Sequence, residues 1–173
     1  MDQTDTGLKA VMKALSDVVE PALDPADPLA REQLRLAIEY VGFVRKRIDY
    51  LHGRERFDLR HYAGVARAFV AAGLPDDAPG ASYLRQTLVA GEALLAQAGA
   101  RTDQLREGAM ELGHVVSTVV QGLGSLPAPM ATALRRIVLD ATEEKLHFER
   151  LWYAPVGFEA VLPTGRSLED FLR

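Results

Sequence analysis

Apolar residues recur at helical spacing along most of this chain. The first predicted helix runs from near Thr6 to Val19, with an apolar stripe at positions 8, 11, 12, 15 and 18, and Pro21 ends it. The second begins after an Asp27 cap, with Pro28 at its first position. It is predicted to reach His52, where Gly53 is the expected left-handed residue that closes a helix.

Four more helices are predicted over about 58–72, 82–98, 102–121 and 130–152, separated by segments rich in Gly and Pro. The first of these four is expected to end at Gly73. Sustained two-residue alternation is missing, apart from a weak signal at 158–162. The pattern therefore predicts an all-α fold, an antiparallel helical bundle of about six helices with a short C-terminal tail. We expect residues 1–155 to form one domain. Residues 156–173 should form the tail, with a turn capped by Ser167, packed on the body or on a neighbouring subunit.

The second predicted helix has two apolar seams. One seam is Leu34, Ala37, Val41, Val44, Ile48 and Leu51. The other is largely aromatic and consists of Leu36, Tyr40, Phe43 and Tyr50. A helix that is apolar around more than half its circumference must be covered on two sides. Either this helix is central in the bundle, or its aromatic seam is an interface, to which Phe171 of the tail could contribute.

Composition limits the class of protein. The 173 residues are 48% apolar and 25% charged, which is typical of a globular domain. No apolar run approaches the roughly 20 residues that cross a bilayer, and the acidic N-terminus lacks the features of a secretory signal. Zero cysteines exclude disulfides, thiolate metal sites and a cysteine nucleophile. We expect a cytoplasmic protein that does not associate with a membrane.

Charge is distributed unevenly around a formal net value of -4. Residues 1–30 contain two basic and six acidic side chains, whereas residues 31–67 contain nine and five. Many of the central arginines could be neutralised by nearby acids. A different interpretation is a small anionic-ligand binder or an enzyme with a cavity between the second, third and sixth helices. Its candidate ligand-binding residues are Arg45, His52, Arg56 and His61, with Glu144 as a buried acid. Nucleic acid binding is not expected, because the whole chain is acidic and carries no recognised motif.

Two Glu-x-x-His tetrapeptides, Glu111 to His114 and Glu144 to His147, have the spacing found in dimetal carboxylate bundles. At about 100° per residue, however, Glu111 and His114 lie away from the apolar stripe of the fifth helix. On the sixth helix, Glu144 falls in the apolar seam and His147 on its flank. We therefore expect Glu144 to be at least half buried and paired with an arginine of the second or third helix, and both histidines to lie at the surface. A dimetal site using these four residues remains a third interpretation, and no cofactor is expected.

No nucleophile elbow, P-loop or dinucleotide-binding glycine motif occurs in the sequence. Two segments carry a resemblance to a known family: Val18 to Leu23 leading into Ala30–Ile38, and Leu134 to Leu146. They resemble small helical proteins of unknown function whose genes lie beside those for acyl-CoA dehydrogenases and aminoglycoside-phosphotransferase-like kinases. The Asn-Pro-Arg-Tyr ending of that family is replaced here by Phe148 to Tyr153. The resemblance implies no catalytic residue and favours an accessory protein that works with an enzyme.

The leading hypothesis is a non-enzymatic helical protein that acts through protein–protein contact. Its partner would be a second copy in a homo-oligomer, or an enzyme to which it is an accessory subunit. The two seams of the second helix, the apolar tail and the missing catalytic motifs all favour this hypothesis.

Overall fold

The computed structural model describes residues 3–157 and 165–172, and this part of the chain contains helices and turns but no strand. Its helices are α1 (Gln3–Ala14), α2 (Pro28–Arg47), α3 (Leu51–Ala71), α4 (Ala81–Ala96), α5 (Thr102–Gly122), α6 (Ala128–Tyr153) and the short α7 (Leu168–Leu172). The predicted all-α class is confirmed. The antiparallel order stays a prediction, and the weak strand signal at 158–162 lies outside the described residues.

Proline 21 does not end the first helical segment where the sequence predicted. Helix α1 continues through a π-helical turn, Leu15–Val19, into a last turn, Glu20–Ala22, with Pro21 at its start. A prolyl ring collides with the carbonyl four residues earlier in a regular α-helix. The wider π turn directly before Pro21 changes that geometry, so the helix ends only after Ala22.

Two predicted helix ends are confirmed. The Asp27 carboxylate accepts a hydrogen bond of 3.0 Å from the Ala30 N–H, and Pro28 occupies the first turn of α2. At the end of α3, Gly73 takes a left-handed conformation with φ of 83°. The N–H groups of Gly73 and Leu74 donate to the carbonyls of Val70 and Phe69, which completes a Schellman cap.

The predicted boundary between the second and third helices is wrong. A single 3₁₀ turn, Ile48–Tyr50, follows α2, and α3 begins at Leu51 rather than near Asp58. Gly53 therefore lies inside a helix and does not cap one. A Cβ atom at Gly53 would lie 3.2 Å from side-chain atoms of Leu172, so this glycine permits close packing of the tail. Sequence alone does not separate a packing glycine from a capping one.

The chain divides into two compact units. Of the described residues, the first unit contains 3–49 and 152–157, and the second contains 50–151 and 165–172. In the second unit α5 packs against both α3 and α4. The buried stripe predicted for α5 is confirmed, since all six of its members are buried: Leu105, Ala109, Leu112, Val116, Val119 and Leu123. Leu59, Phe69 and Leu84 join them in one continuous apolar core.

Among the described residues, no helix combines the length and the apolarity that spanning a bilayer would require. The predicted turn at the C-terminus is α7, and Ser167 precedes it. The Ser167 N–H and hydroxyl both donate to the Asp170 carboxylate, at 2.8 and 2.9 Å. This pairing begins the helix in the manner of a capping box.

Candidate interaction surface

The first unit is a helical hairpin of α1 and α2. The start of α1 meets the end of α2, where the Arg45 Nε donates to the Asp5 carboxylate over 2.5 Å. Hydrogen bonds from Lys9 and from Arg45 hold the pKa of Asp5 below its usual value. Further along, Gly42 faces the Met12 thioether, whose methyl carbon would lie 3.4 Å from a Cβ at that position. These contacts fix two helices side by side.

This hairpin encloses almost no core of its own. Among residues 3–49 and 152–157, only Trp152 is buried. The interpretation of the second helix as the central helix of the bundle is therefore wrong, because no residue of α2 is buried. The exposed large apolar residues of this unit are Val11, Val18, Val19, Leu29, Leu36, Tyr40, Tyr153 and Val156. Amphipathic helices ordinarily bury such side chains against a neighbour.

Three exposed apolar residues of the first unit, Leu29, Leu36 and Tyr40, form a ridge on α2. Their exposed fractions are 69%, 44% and 67%. The spacing of seven and then four residues places them along one side of the helix. Tyr40 and Leu36 belong to the predicted aromatic seam. Leu29 extends that seam by two turns and was not predicted as part of it, although its position seven residues before Leu36 could have identified it.

Phe43 continues the ridge but is covered on one side. Its ring stacks on Tyr153 at a centroid distance of 5.7 Å and meets the Trp152 ring edge-on at 6.4 Å. The Arg47 guanidinium lies 5.5 Å from the Trp152 ring and donates a hydrogen bond of 2.8 Å to its backbone carbonyl. This aromatic cluster packs against the end of α2, and Tyr40 lies at its edge with its ring centroid 6.3 Å from that of Phe43.

The other two interface candidates belong to the second unit. Tyr50 is half-buried and its hydroxyl donates to Glu169 over 3.0 Å. Phe171 is fully buried within its own chain, between Phe57 and Phe148. Leu36, Tyr40 and Phe43 thus belong to the first unit, whereas Tyr50 and Phe171 belong to the second.

Helix α2 is basic and the segment before it is acidic. Residues 28–47 carry five basic and two acidic side chains, and residues 1–30 carry two and six. Exposed ion pairs within α2 join Arg35 to Glu32 and to Glu39. Exposed pairs of this kind contribute little to stability, but the overall difference in sign gives the hairpin a polarity that a partner can recognise.

Most of the predicted anion-binding residues have structural partners. The Arg56 side chain donates to the Leu95 carbonyl in the last turn of α4, and the His52 Nδ1 lies 3.4 Å from the Thr102 hydroxyl. Arg45 pairs with Asp5 in the first unit. Cations that donate to the last carbonyls of a helix stabilise its C-terminus.

Two members of this set, His61 and Glu144, line one cavity of the second unit. That cavity has a volume of about 230 Å³ and is also lined by Phe57, Arg60 and Gly64. Burial, reinforced by the nearby Lys145 ammonium, lowers the pKa of His61, whereas Asp58 and Glu144 act in the opposite direction. The imidazole stacks on Phe57 at 6.2 Å. These contacts are typical of a packed surface histidine.

The predicted partner of Glu144 is wrong. The Glu144 side chain is 50% exposed, at the limit of the predicted half-burial, and it pairs with Arg166 of the tail at 3.1 Å, not with an arginine of the second or third helix. Lys145 occupies the inner position instead, where its ammonium pairs with Asp58 and with Glu149. Measured around α6 from the buried Leu134, Lys145 is displaced by about 20° and Glu144 by about 80°. The sequence signal for the inner position was therefore present.

Lys145 is a partly buried cation that the sequence interpretation missed, with its side chain 21% exposed. Burial lowers its pKa, but hydrogen bonds to Asp58 and Glu149 outweigh that effect and raise the pKa overall. Its ammonium also lies 5.6 Å from the Phe57 ring and 5.5 Å from the Phe148 ring. Arg54 joins the same cluster through a hydrogen bond of 3.1 Å to Glu149. A lysine bonded to two carboxylates above aromatic rings stabilises the packing of α3 on α6.

The four residues of the two Glu-x-x-His motifs have separate surroundings. Glu111 accepts a hydrogen bond from the Tyr83 hydroxyl, which raises the pKa of Tyr83. His114 is exposed, as predicted. His147 is half-buried, which contradicts its predicted surface position, and its ring meets Phe171 at 5.3 Å. No group of three or more potential metal ligands occurs in the part of the chain that the structure describes.

Comparisons with protein-family models, with curated protein sequences and with solved structures give no match to this chain.

Proposed function

We propose that this protein is a non-enzymatic helical protein that acts through protein–protein contact, and that two copies associate through their hairpins. The observation that supports the proposal is the nearly coreless hairpin with the exposed ridge Leu29, Leu36 and Tyr40. Two helices bury only one face each, whereas four helices in a bundle can bury all their apolar stripes.

A second copy fits this surface better than an unrelated partner. The ridge spacing of seven and four residues is the spacing at which helices interdigitate in bundles and coiled coils. In a two-fold dimer the basic α2 of each copy can lie against the acidic N-terminal segment of the other copy, so the same favourable contact occurs twice. The same ridge in both copies satisfies the requirement that a two-fold interface be complementary to itself.

The experiment measures the mass of the protein in solution. By size-exclusion chromatography with light scattering, the wild type should be a dimer. The double substitution Leu36→Glu and Tyr40→Glu should raise the dissociation constant about a hundredfold or more, because it places charges in the apolar contact. Val89 is a matched control, since it is 68% exposed on α4 in the second unit. Val89→Glu should leave the dimer intact.

Helical content measured by circular dichroism must be the same in all three proteins. A wild type that stays monomeric at about 0.1 mM would overturn the proposal, because a dimer with a micromolar dissociation constant is largely associated there. A dimer unaffected by the double substitution would also overturn it.

A further inference from the structure

Helix α7 lies in a groove of the second unit. We define the α7 groove by Tyr50 of the 3₁₀ turn, by Gly53, Phe57 and Arg60 of α3, and by Phe148 of α6. It holds a helix of five residues, of which Leu168 is 8% exposed and Phe171 is fully buried. Isolated helices this short do not persist in water, so the groove must supply the stability of α7.

Aromatic packing supplies the main anchor. The Phe171 ring meets Phe57 edge-on and Phe148 at a tilt, both at a centroid distance of 5.7 Å. Arg166 closes the outer side with its guanidinium 3.8 Å from the ring centroid. Burial of a phenylalanine together with cation–π contact gives a strong and specific anchor point.

The groove is also shaped for the neighbouring leucine. Gly53 leaves space that a Cβ would fill, since that atom would lie 3.2 Å from Leu172. Glycine inside a helix destabilises the helix relative to alanine. The space that Gly53 leaves in α3 offsets this loss of helix stability when Leu172 of α7 packs into it.

Polar groups at the two ends of the groove define the direction of the bound helix. The Tyr50 hydroxyl donates to Glu169 in the first turn of α7. At the other end Arg60 donates to the Phe171 carbonyl. An acidic first turn and a cation at the last carbonyl both complement the helix dipole, so the groove distinguishes one orientation from its reverse.

We propose that the α7 groove is a recognition site for a short amphipathic helix with an acidic first turn, and that it accepts α7 from a second copy of the chain. The contacts described involve side chains and terminal backbone groups of α7, and they do not require that the two partners belong to one chain. Exchange of such a terminal element between identical subunits is a known route to association. The inference is independent of the hairpin surface.

The test uses a vacant variant, the full-length protein with Phe171→Asp, in which α7 has lost its anchor and no longer fills the α7 groove. The ligand is a fluorescent peptide with the sequence of residues 165–172. The variant should bind the peptide with a dissociation constant below about 1 mM, which is the range of effective concentration that a short linker provides. Wild type, whose groove is filled, should bind at least tenfold more weakly. If Phe171→Asp fails to fold, Phe171→Ala is the second vacant variant.

Three controls complete the experiment. A peptide with aspartate in place of Phe171 should not bind. Adding Gly53→Leu to the vacant variant should abolish binding, because the new side chain fills the space of Leu172. Adding Tyr40→Glu should leave binding unchanged, which separates this result from the hairpin association. Equal binding by wild type and vacant variant, or no saturable binding to a folded vacant variant at millimolar peptide, would overturn the inference.

Discussion

At the scale of single residues, the basic side chains of the central segment act mainly on their own chain. Arg47, Arg56 and Arg60 each donate to a carbonyl in the last turn of a helix. Arg54 and Lys145 share the carboxylates of Asp58 and Glu149. Internal neutralisation of these charges was predictable from the acids interleaved with them in the sequence, whereas the carbonyl partners were not, because they are distant in sequence.

Protonation of His61 should destabilise the protein. Since the folded pKa lies below the ordinary value near 6.5, the neutral imidazole is favoured by the fold, and the unfolded chain binds the proton more readily. The stabilising contribution is complete above about pH 6.5 and is lost as the pH falls through the folded pKa. Urea unfolding measures this loss as the difference in the free energy of unfolding between about pH 7.5 and about pH 5.5. These two values lie about one pH unit above and below the ordinary histidine pKa.

His61→Gln should make the free energy of unfolding less dependent on pH over that interval. His114→Gln, which removes an exposed imidazole, is the control and should keep the wild-type dependence. The explanation fails if His61→Gln and wild type lose the same free energy between the two pH values.

At the scale of helices, two glycines test how closely the elements approach. A Cβ at Gly113 of α5 would lie 3.1 Å from two atoms of the Tyr62 ring, whereas a Cβ at Gly64 of α3 would meet nothing within 4 Å. Gly64→Ala should therefore stabilise the protein by up to about 1 kcal/mol through helix propensity and reduced freedom of the unfolded chain.

Gly113→Ala gains the same propensity but must displace the Tyr62 ring, so the thermal midpoint should fall below that of wild type. Thermal unfolding followed by circular dichroism compares both variants with wild type. An increase for Gly113→Ala equal to that for Gly64→Ala would show that α5 and α3 are less tightly packed at this point than the structure indicates.

At the scale of the whole molecule, burial is distributed very unequally between the two units. The second unit contains the continuous core around α5, and in the described part of the first unit Trp152 is the only buried residue. Local stability follows the burial of apolar contacts, so the two units should open independently and with different free energies.

Hydrogen exchange with mass spectrometry should detect this difference. At low protein concentration the amides of α1 and α2 should exchange much faster than those of α5, and α1 and α2 should become protected as the concentration rises and copies associate. If the amides of α1 and α2 were as protected as those of α5 at the lowest protein concentration, the expected difference in stability between the two units would be contradicted. Protection that does not depend on concentration would count against association through the hairpin.

The sequence by itself determined the helical class, the Asp27 and Gly73 helix ends and the buried stripe of α5. These features depend on local backbone preference and on one apolar face repeated over several turns. It also identified Leu36, Tyr40 and Phe43 as an unusual seam. Tertiary structure decided that Gly53 packs against Leu172 rather than capping a helix, that Lys145 pairs with Asp58, and that no residue of α2 is buried in the part of the chain that the structure describes. Those outcomes depend on partners that are distant in sequence, such as Leu172 for Gly53 and Asp58 for Lys145, and helical periodicity contains no information about which distant partner a face will meet.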